Sequence, residues 1–231
     1  MSEDSKDAAG ETQLRLELNR PASFDRALFV VSPCNRDAVS AIDSWPDWPG
    51  GCLVLVGPEG VGKSHLAHTW ALRSSAFIVG DAPIDVTSLA SGPILLEDAD
   101  RRPSDTGLFH LMNRADTGTS LLMTARTAPR LWPSTLPDLR SRLNALVTVA
   151  IDPPDDVVLE GVLMRFFRDR NIRPDKGLIS YLLRRIERSV PAALEVVSRL
   201  DTAADAAGRG VTRSLAREIL DVGENEADLP D

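Results

Sequence analysis

The residues with the clearest chemistry run from Cys52 to His68, CLVLVGPEGVGKSHLAH. Within them, Gly57, Gly62, Lys63 and Ser64 keep the G-x-x-x-x-G-K-S spacing of a phosphate-binding loop. Each residue type has a physical reason. Glycines adopt backbone angles closed to other residues and let several amides converge on one anion. The N-terminus of the following helix adds unpaired N–H donors and the positive end of its dipole. In this pattern Lys63 reaches the β/γ-phosphates and the Ser64 hydroxyl is placed to hold Mg²⁺. Gly57, Glu59, Gly60, Val61, Gly62, Lys63, Ser64 and His65 are thus the candidate nucleotide-binding residues. Lys63 is one of three lysines beside 23 arginines, so its placement is not a by-product of composition.

A phosphate loop needs a strand to deliver it, and Cys52 to Val56 is a short aliphatic run of strand length. Four further apolar runs follow: Ala76–Val79, Pro93–Asp98 with two carboxylates at its end, Ser120–Thr124 and Ala145–Ile151. Helical spacing separates them, from Lys63 to about Arg73, over Asp105–Ala115 and over Leu136–Leu143. Alternating strands and helices predict a parallel five-stranded sheet flanked by helices, with the site at the carboxyl ends of the strands. Glu97-Asp98 and Thr124 fall at such ends, and an acidic pair there suits a metal ion shared with Ser64. Ahead of the sheet, Asn35 is expected to cap a helix over Arg36–Trp45.

Asp152-Pro153-Pro154-Asp155-Asp156 ends the alternation, and the remainder reads as helices over Asp155–Arg170, Pro174–Arg188, Pro191–Ala207 and Thr212–Leu220. The expected organisation is a tail at 1–20, an α/β nucleotide-binding domain at 21–151, a helical lid at 152–221 and an acidic tail at 222–231. In the first tail, Gln13-Leu14-Arg15-Leu16-Glu17-Leu18 alternates leucines, which share a face when extended. It is either a short edge strand or a peptide that docks its leucines in a partner's groove.

The net charge of −8 lies in the ends of the chain: residues 1–12 carry −3, residues 221–231 carry −5, and residues 13–220 hold 25 acids and 25 bases. A neutral body argues against strong non-specific DNA binding, which needs a dense basic patch. Two cysteines, Cys34 and Cys52, fit neither a zinc spacing nor a disulfide framework. The acidic, polar start is not a secretory signal, and no apolar run approaches the roughly 18 residues of a membrane span, so a cytoplasmic protein is the expectation. His65 and His68 sit three apart on a helix with no acid or cysteine beside them in sequence, a poor metal site. Trp45, Trp48, Trp70 and Trp132 read as packing anchors.

A phosphate-loop α/β domain followed by a small helical lid has the layout of an AAA+ module. The chain resembles the DnaA family of bacterial replication AAA+ proteins, and within it the Hda (HdaA) regulatory branch. The matching stretches are Phe29-Val30-Val31-Ser32-Pro33-Cys34-Asn35-Arg36, Gly62-Lys63-Ser64-His65-Leu66 with His68, Leu122-Met123-Thr124 through Pro129, Leu136–Leu143 and Tyr181–Arg188. The likeness covers nearly all of 13–221 and stops short of the initiator's helix-turn-helix DNA-binding domain. Gln13, Leu14, Leu16 and Leu18 resemble the motif by which bacterial proteins bind the replication sliding clamp. The resemblance makes Arg142 an arginine finger that enters a neighbour's nucleotide site, with Arg140 nearby; a surface salt bridge is the alternative for either. It implies a negative regulator of initiation that binds ADP or ATP, ADP being the one the resemblance suggests, with DnaA and the clamp as partners. The rivals are an autonomous AAA+ ATPase, such as a helicase loader, and a DNA-binding initiator paralogue. Three departures from the family pattern point away from self-catalysed hydrolysis: Glu97 precedes Asp98, Arg126 stands at the sensor position after Thr124, and Pro191 stands near the lid position that usually carries arginine.

Overall fold

A computed structural model describes residues 26–80, 91–101 and 104–226. The Gln13–Leu18 peptide lies outside the described residues. Five strands form one sheet: β1 (Cys52–Val56), β2 (Phe77–Val79), β3 (Ile94–Leu96), β4 (Leu121–Ala125) and β5 (Thr148–Ala150). Their order is β2-β3-β4-β1-β5, and every pairing is parallel, as the alternation predicts.

Burial follows from that order. β1 and β4 are central and pack on both faces, so they are continuously apolar. β2 and β5 lie at the edges and expose part of their length. Side chains of β1 alternate between two cores. Cys52 and Val54 join Leu111, Met123, Leu139 and Leu143 on the face covered by α3 (Asp105–Asp116) and α4 (Pro137–Ala145). Leu53 and Leu55 join Ile42, Leu66 and Trp70 on the face covered by α1 (Arg36–Asp43) and α2 (Lys63–Ser74). The tryptophans are packing anchors: Trp70 is fully buried, Trp48 stacks on it at 5.2 Å, and Trp45 donates to Ser120 Oγ at 2.9 Å.

A third core is wholly helical, built from α5 (Asp156–Asp169), α6 (Lys176–Leu182), α7 (Val190–Ala206) and α8 (Arg213–Glu226) around Leu163, Phe167, Leu182, Val197 and Leu200. Side-chain caps start three of these helices. Asp155 accepts from Val158 N–H, Asp175 from Leu178 N–H and Ser189 from Ala192 N–H.

Several boundaries differ from expectation. α6 ends at Leu182 and not Arg188, β5 starts at Thr148 and not Ala145, and α8 runs on to Glu226. Asn35 makes no side-chain cap. Its Oδ1 accepts from Ser32 N–H at 3.0 Å and its Nδ2 donates to Val30 O at 2.9 Å. A buried amide with donors and acceptor to satisfy turns back on the preceding loop, where both are met.

The carboxyl end of β1 is tightly enclosed. A Cβ on Gly57 would lie 2.3 Å from the carbonyl oxygen of Ile151, a residue whose N–H donates to Val56 O and holds it in place. Gly57→Ala is therefore expected to lower the unfolding free energy by about 1–3 kcal/mol through overpacking, as read by urea denaturation.

Candidate phosphate-binding site

The loop begins where Gly57 N–H donates to Ala125 O of the neighbouring strand at 3.2 Å. Gly60 (φ +75°) and Gly62 (φ +102°) take left-handed angles, and Gly62 leads directly into α2. Lys63 opens that helix with its ammonium folded back over the loop. Nζ donates to Gly57 O at 2.8 Å and to Pro58 O at 2.6 Å, and the residue is 8% exposed. Burial pulls its pKa below the ordinary lysine value; Asp98 opposes that shift and Arg126 reinforces it. The cradle is the right type for phosphates: a half-turn of glycines, a helix N-terminus and a partly dehydrated cation. Val61 is buried beneath the loop, Ser64 is exposed at the start of α2, and the His65 ring packs on Phe29 at 5.5 Å.

The acidic pair is divided between two jobs. Glu97 Oε2 pairs with His68 Nε2 at 2.8 Å across from α2. The sequence shows no acid beside His68; the sheet supplies one from 29 residues away. Asp98 holds a left-handed φ of +50°, and its N–H donates to the buried Thr124 hydroxyl at 3.1 Å. Of the two side chains expected to hold Mg²⁺, Ser64 is exposed and Glu97 is paired with His68. Among the described residues no three His, Cys, Asp or Glu side chains cluster as a metal site by themselves.

Asp100 was not singled out above, yet its Oδ2 accepts from Arg126 N–H (3.1 Å), Thr127 N–H (3.3 Å) and Thr127 Oγ1 (3.3 Å). It fixes the backbone after β4. The third carboxylate in Glu97-Asp98-Ala99-Asp100 was the available signal. The Arg126 guanidinium then reaches Glu59 Oε2 at 2.5 Å, linking β4 to the tip of the loop. The helical part also closes on that tip. Val190 N–H donates to Gly60 O at 3.0 Å, and Pro191 Cδ lies 2.6 Å from where a Gly60 Cβ would stand.

Arg142 is not among these groups. It pairs with Asp116 Oδ2 at 2.6 Å and lies 5.2 Å above the Phe109 ring, both on α3. Asp116 and Arg142 act electrostatically on Cys52, whose thiol burial pushes up to about 12. A Cβ on Gly51, the residue before β1, would lie 3.0 Å from the Ala115 carbonyl oxygen at the end of α3, so Asp116 and the arginine it holds sit at the amino edge of the sheet. Arg140 donates to Ser134 O at 3.0 Å. The segment leading into α4 is tied to α3 by Asp105, which accepts from Thr135 N–H (2.7 Å), Thr135 Oγ1 (2.8 Å) and Ser134 Oγ (3.2 Å).

Hydrogen bonds from the Thr135 N–H and hydroxyl, then Ser134, hold the Asp105 carboxyl below its ordinary range. A depressed carboxylate stabilises the fold above its unfolded value near ~3.9, and the effect fades as pH falls through the depressed value. The thermal midpoint of wild type should therefore exceed that of Asp105→Asn above about pH 4, and the gap should shrink below it.

No family model matches the sequence. A curated relative, the chromosomal replication initiator protein DnaA of Thermomicrobium roseum, is 25% identical across 91% of this chain. The chain spans about half of that relative, 51% of its length. Domain III of the Thermotoga maritima replication initiation protein DnaA superposes with a TM-score of 0.70 at 16% identity, over 86% of this chain and 95% of that one. A structure of the replication initiator DnaA bound to AMPPCP and single-stranded DNA gives a TM-score of 0.60 at 17% identity, over 78% and 66%. No helix among the described residues is long and apolar enough to cross a membrane. The architecture is that of an AAA+ module, and in sequence the chain is similar to the DnaA replication initiator.

Proposed function

We propose that this chain is a nucleotide-bound negative regulator of replication initiation. It docks on the polymerase sliding clamp through Gln13, Leu14, Leu16 and Leu18 and stimulates ATP hydrolysis by DnaA through Arg142. The adenine nucleotide, ADP or ATP with Mg²⁺, is held by Gly57 to His65, with Glu97, Asp98, Thr124 and Arg126 at the adjoining strand ends.

The observation that carries the reading is the separation of two poles. Arg142 is held by Asp116 at the end of α3, which packs against Gly51 just before β1, and the phosphate loop follows the fifth residue of that strand. Five strand residues span about 15 Å, twice what an arginine side chain reaches. Arg142 therefore cannot serve its own loop, and any phosphoryl charge it stabilises belongs to another subunit. Its ion pair with Asp116 is 36% and 53% exposed, so it contributes little and yields readily to a stronger anion. At the other pole, His68 engages Glu97, Glu59 engages Arg126 and Pro191 packs against Gly60. That arrangement suits a nucleotide held as a structural element rather than turned over.

The test is DnaA-bound ATP hydrolysis with clamp-loaded DNA. A trans guanidinium is worth about 10³–10⁵ in rate, so Arg142→Ala should abolish measurable stimulation. Deletion of 13–18 should abolish it only when the clamp is required. If both variants stimulate as well as wild type, the mechanism fails. Turnover by the chain alone that disappears in Lys63→Ala would favour an autonomous ATPase instead.

A further inference from the structure

The first carboxylate after β3, Glu97, stands where a ligand for a metal shared with Ser64 is expected, yet a histidine holds it. Taking residues 57–64 as a nucleotide phosphate site, we propose that His68 withdraws Glu97 from metal coordination, so that the chain binds a nucleoside diphosphate with almost no dependence on Mg²⁺.

Ser64 and His68 are four residues apart on α2, so they share a face and stand about 5.4 Å apart along its axis. Ser64 is exposed in the first turn, beside the loop. His68 lies one turn deeper, and Glu97 comes to it from the end of β3. Both side chains are enclosed, at 20% and 22% exposure. The carboxylate is thus drawn between helix and sheet, towards the second turn of α2, while the hydroxyl that would share a metal is on the first.

The chemistry of the pair opposes a metal as well. An ionised carboxylate only accepts, so His68 Nε2 donates to Glu97 Oε2 at 2.8 Å. Mg²⁺ demands a near-ideal octahedron of oxygens at about 2.0–2.1 Å and gives up its water reluctantly. Moving Glu97 into such a shell breaks a charge-assisted bond between enclosed groups, which lowers metal affinity by about 10-fold or more. The second carboxylate is placed for another task. Asp98 is turned by its left-handed φ of +50°, its N–H is on Thr124 Oγ1, and its charge lies near enough to Lys63 to oppose the fall in that lysine's pKa. What the site offers a diphosphate is then Lys63, the loop amides and the N-terminus of α2, all of which bind phosphate without a metal.

The test is calorimetric binding of ADP in excess Mg²⁺ and in EDTA by wild type, His68→Ala, His68→Gln, Glu97→Gln and the His68→Ala/Glu97→Gln double variant, with the thermal midpoint of each. Wild-type affinity should differ by less than about 3-fold between the two conditions. His68→Ala should raise the difference to about 10-fold or more, because the released carboxylate repels phosphate in EDTA and binds Mg²⁺ when it is present. His68→Gln, whose amide can still donate to Glu97, should behave as wild type. Removing Glu97 together with His68 should return the difference to less than about 3-fold. A changed midpoint in His68→Ala with an unchanged Mg²⁺ dependence overturns the proposal, because His68 then has a structural role alone. A strong Mg²⁺ dependence in wild type that is lost in His68→Ala also overturns it, because the histidine then orients a metal ligand. ADP binding by wild type in neither condition overturns the nucleotide-binding reading on which the proposal stands.

Discussion

Burying the Lys63 ammonium constrains everything around it. A cation 8% exposed must be surrounded by oxygens, and the Gly57 and Pro58 carbonyls can face inward only if the loop turns sharply. That turn requires glycines at its narrow points. At Gly57 the Ile151 carbonyl leaves no room for a side chain. At Gly60 the approach of Pro191 does the same. The loop can be so tight because two rigid strands hold its base: Gly57 N–H bonds Ala125 O, and Ile151 N–H bonds Val56 O. Sheet, loop and the first turn of α7 are thus organised by one desolvated charge.

The parallel sheet then separates two kinds of chemistry. At its carboxyl edge, the residues of the candidate site are held in a network of internal pairs: Lys63 with loop carbonyls, Glu97 with His68, and Arg126 with Glu59. At its amino edge, Arg142 rests on Phe109 and Asp116. α3 serves both ends. Its first residue, Asp105, positions the segment that leads into α4, and its last, Asp116, holds the arginine which α4 carries. A nucleotide at one edge and a partner's nucleotide at the other would be read by one compact body.

The strands were legible because burial on both faces forces continuous apolar runs such as Cys52–Val56, and the loop because its spacing is fixed by phosphate geometry. The helical core was legible from apolar periodicity over Val158–Phe167. Periodicity reports which face is buried and not which side chain waits across the gap. The Glu97 partner of His68, the Asp100 clamp on Arg126 and the Asp116 partner of Arg142 lie 29, 26 and 26 residues away in sequence. Asn35 failed as a cap for a related reason: its amide had a better set of partners in the turn behind it. The early end of α6 was masked by Ile186, which joins the helical core from outside the helix.

The central claim is that the Arg142 guanidinium acts within another subunit's nucleotide site. Chemical rescue tests it most directly: millimolar guanidinium ion is added to the Arg142→Ala chain acting on DnaA-bound ATP, with a chain lacking residues 13–18 as control. Recovery of hydrolysis in Arg142→Ala, and none in the deletion, is the result expected of a missing functional group. Hydrolysis that stays at the unstimulated rate at every guanidinium concentration would contradict the claim.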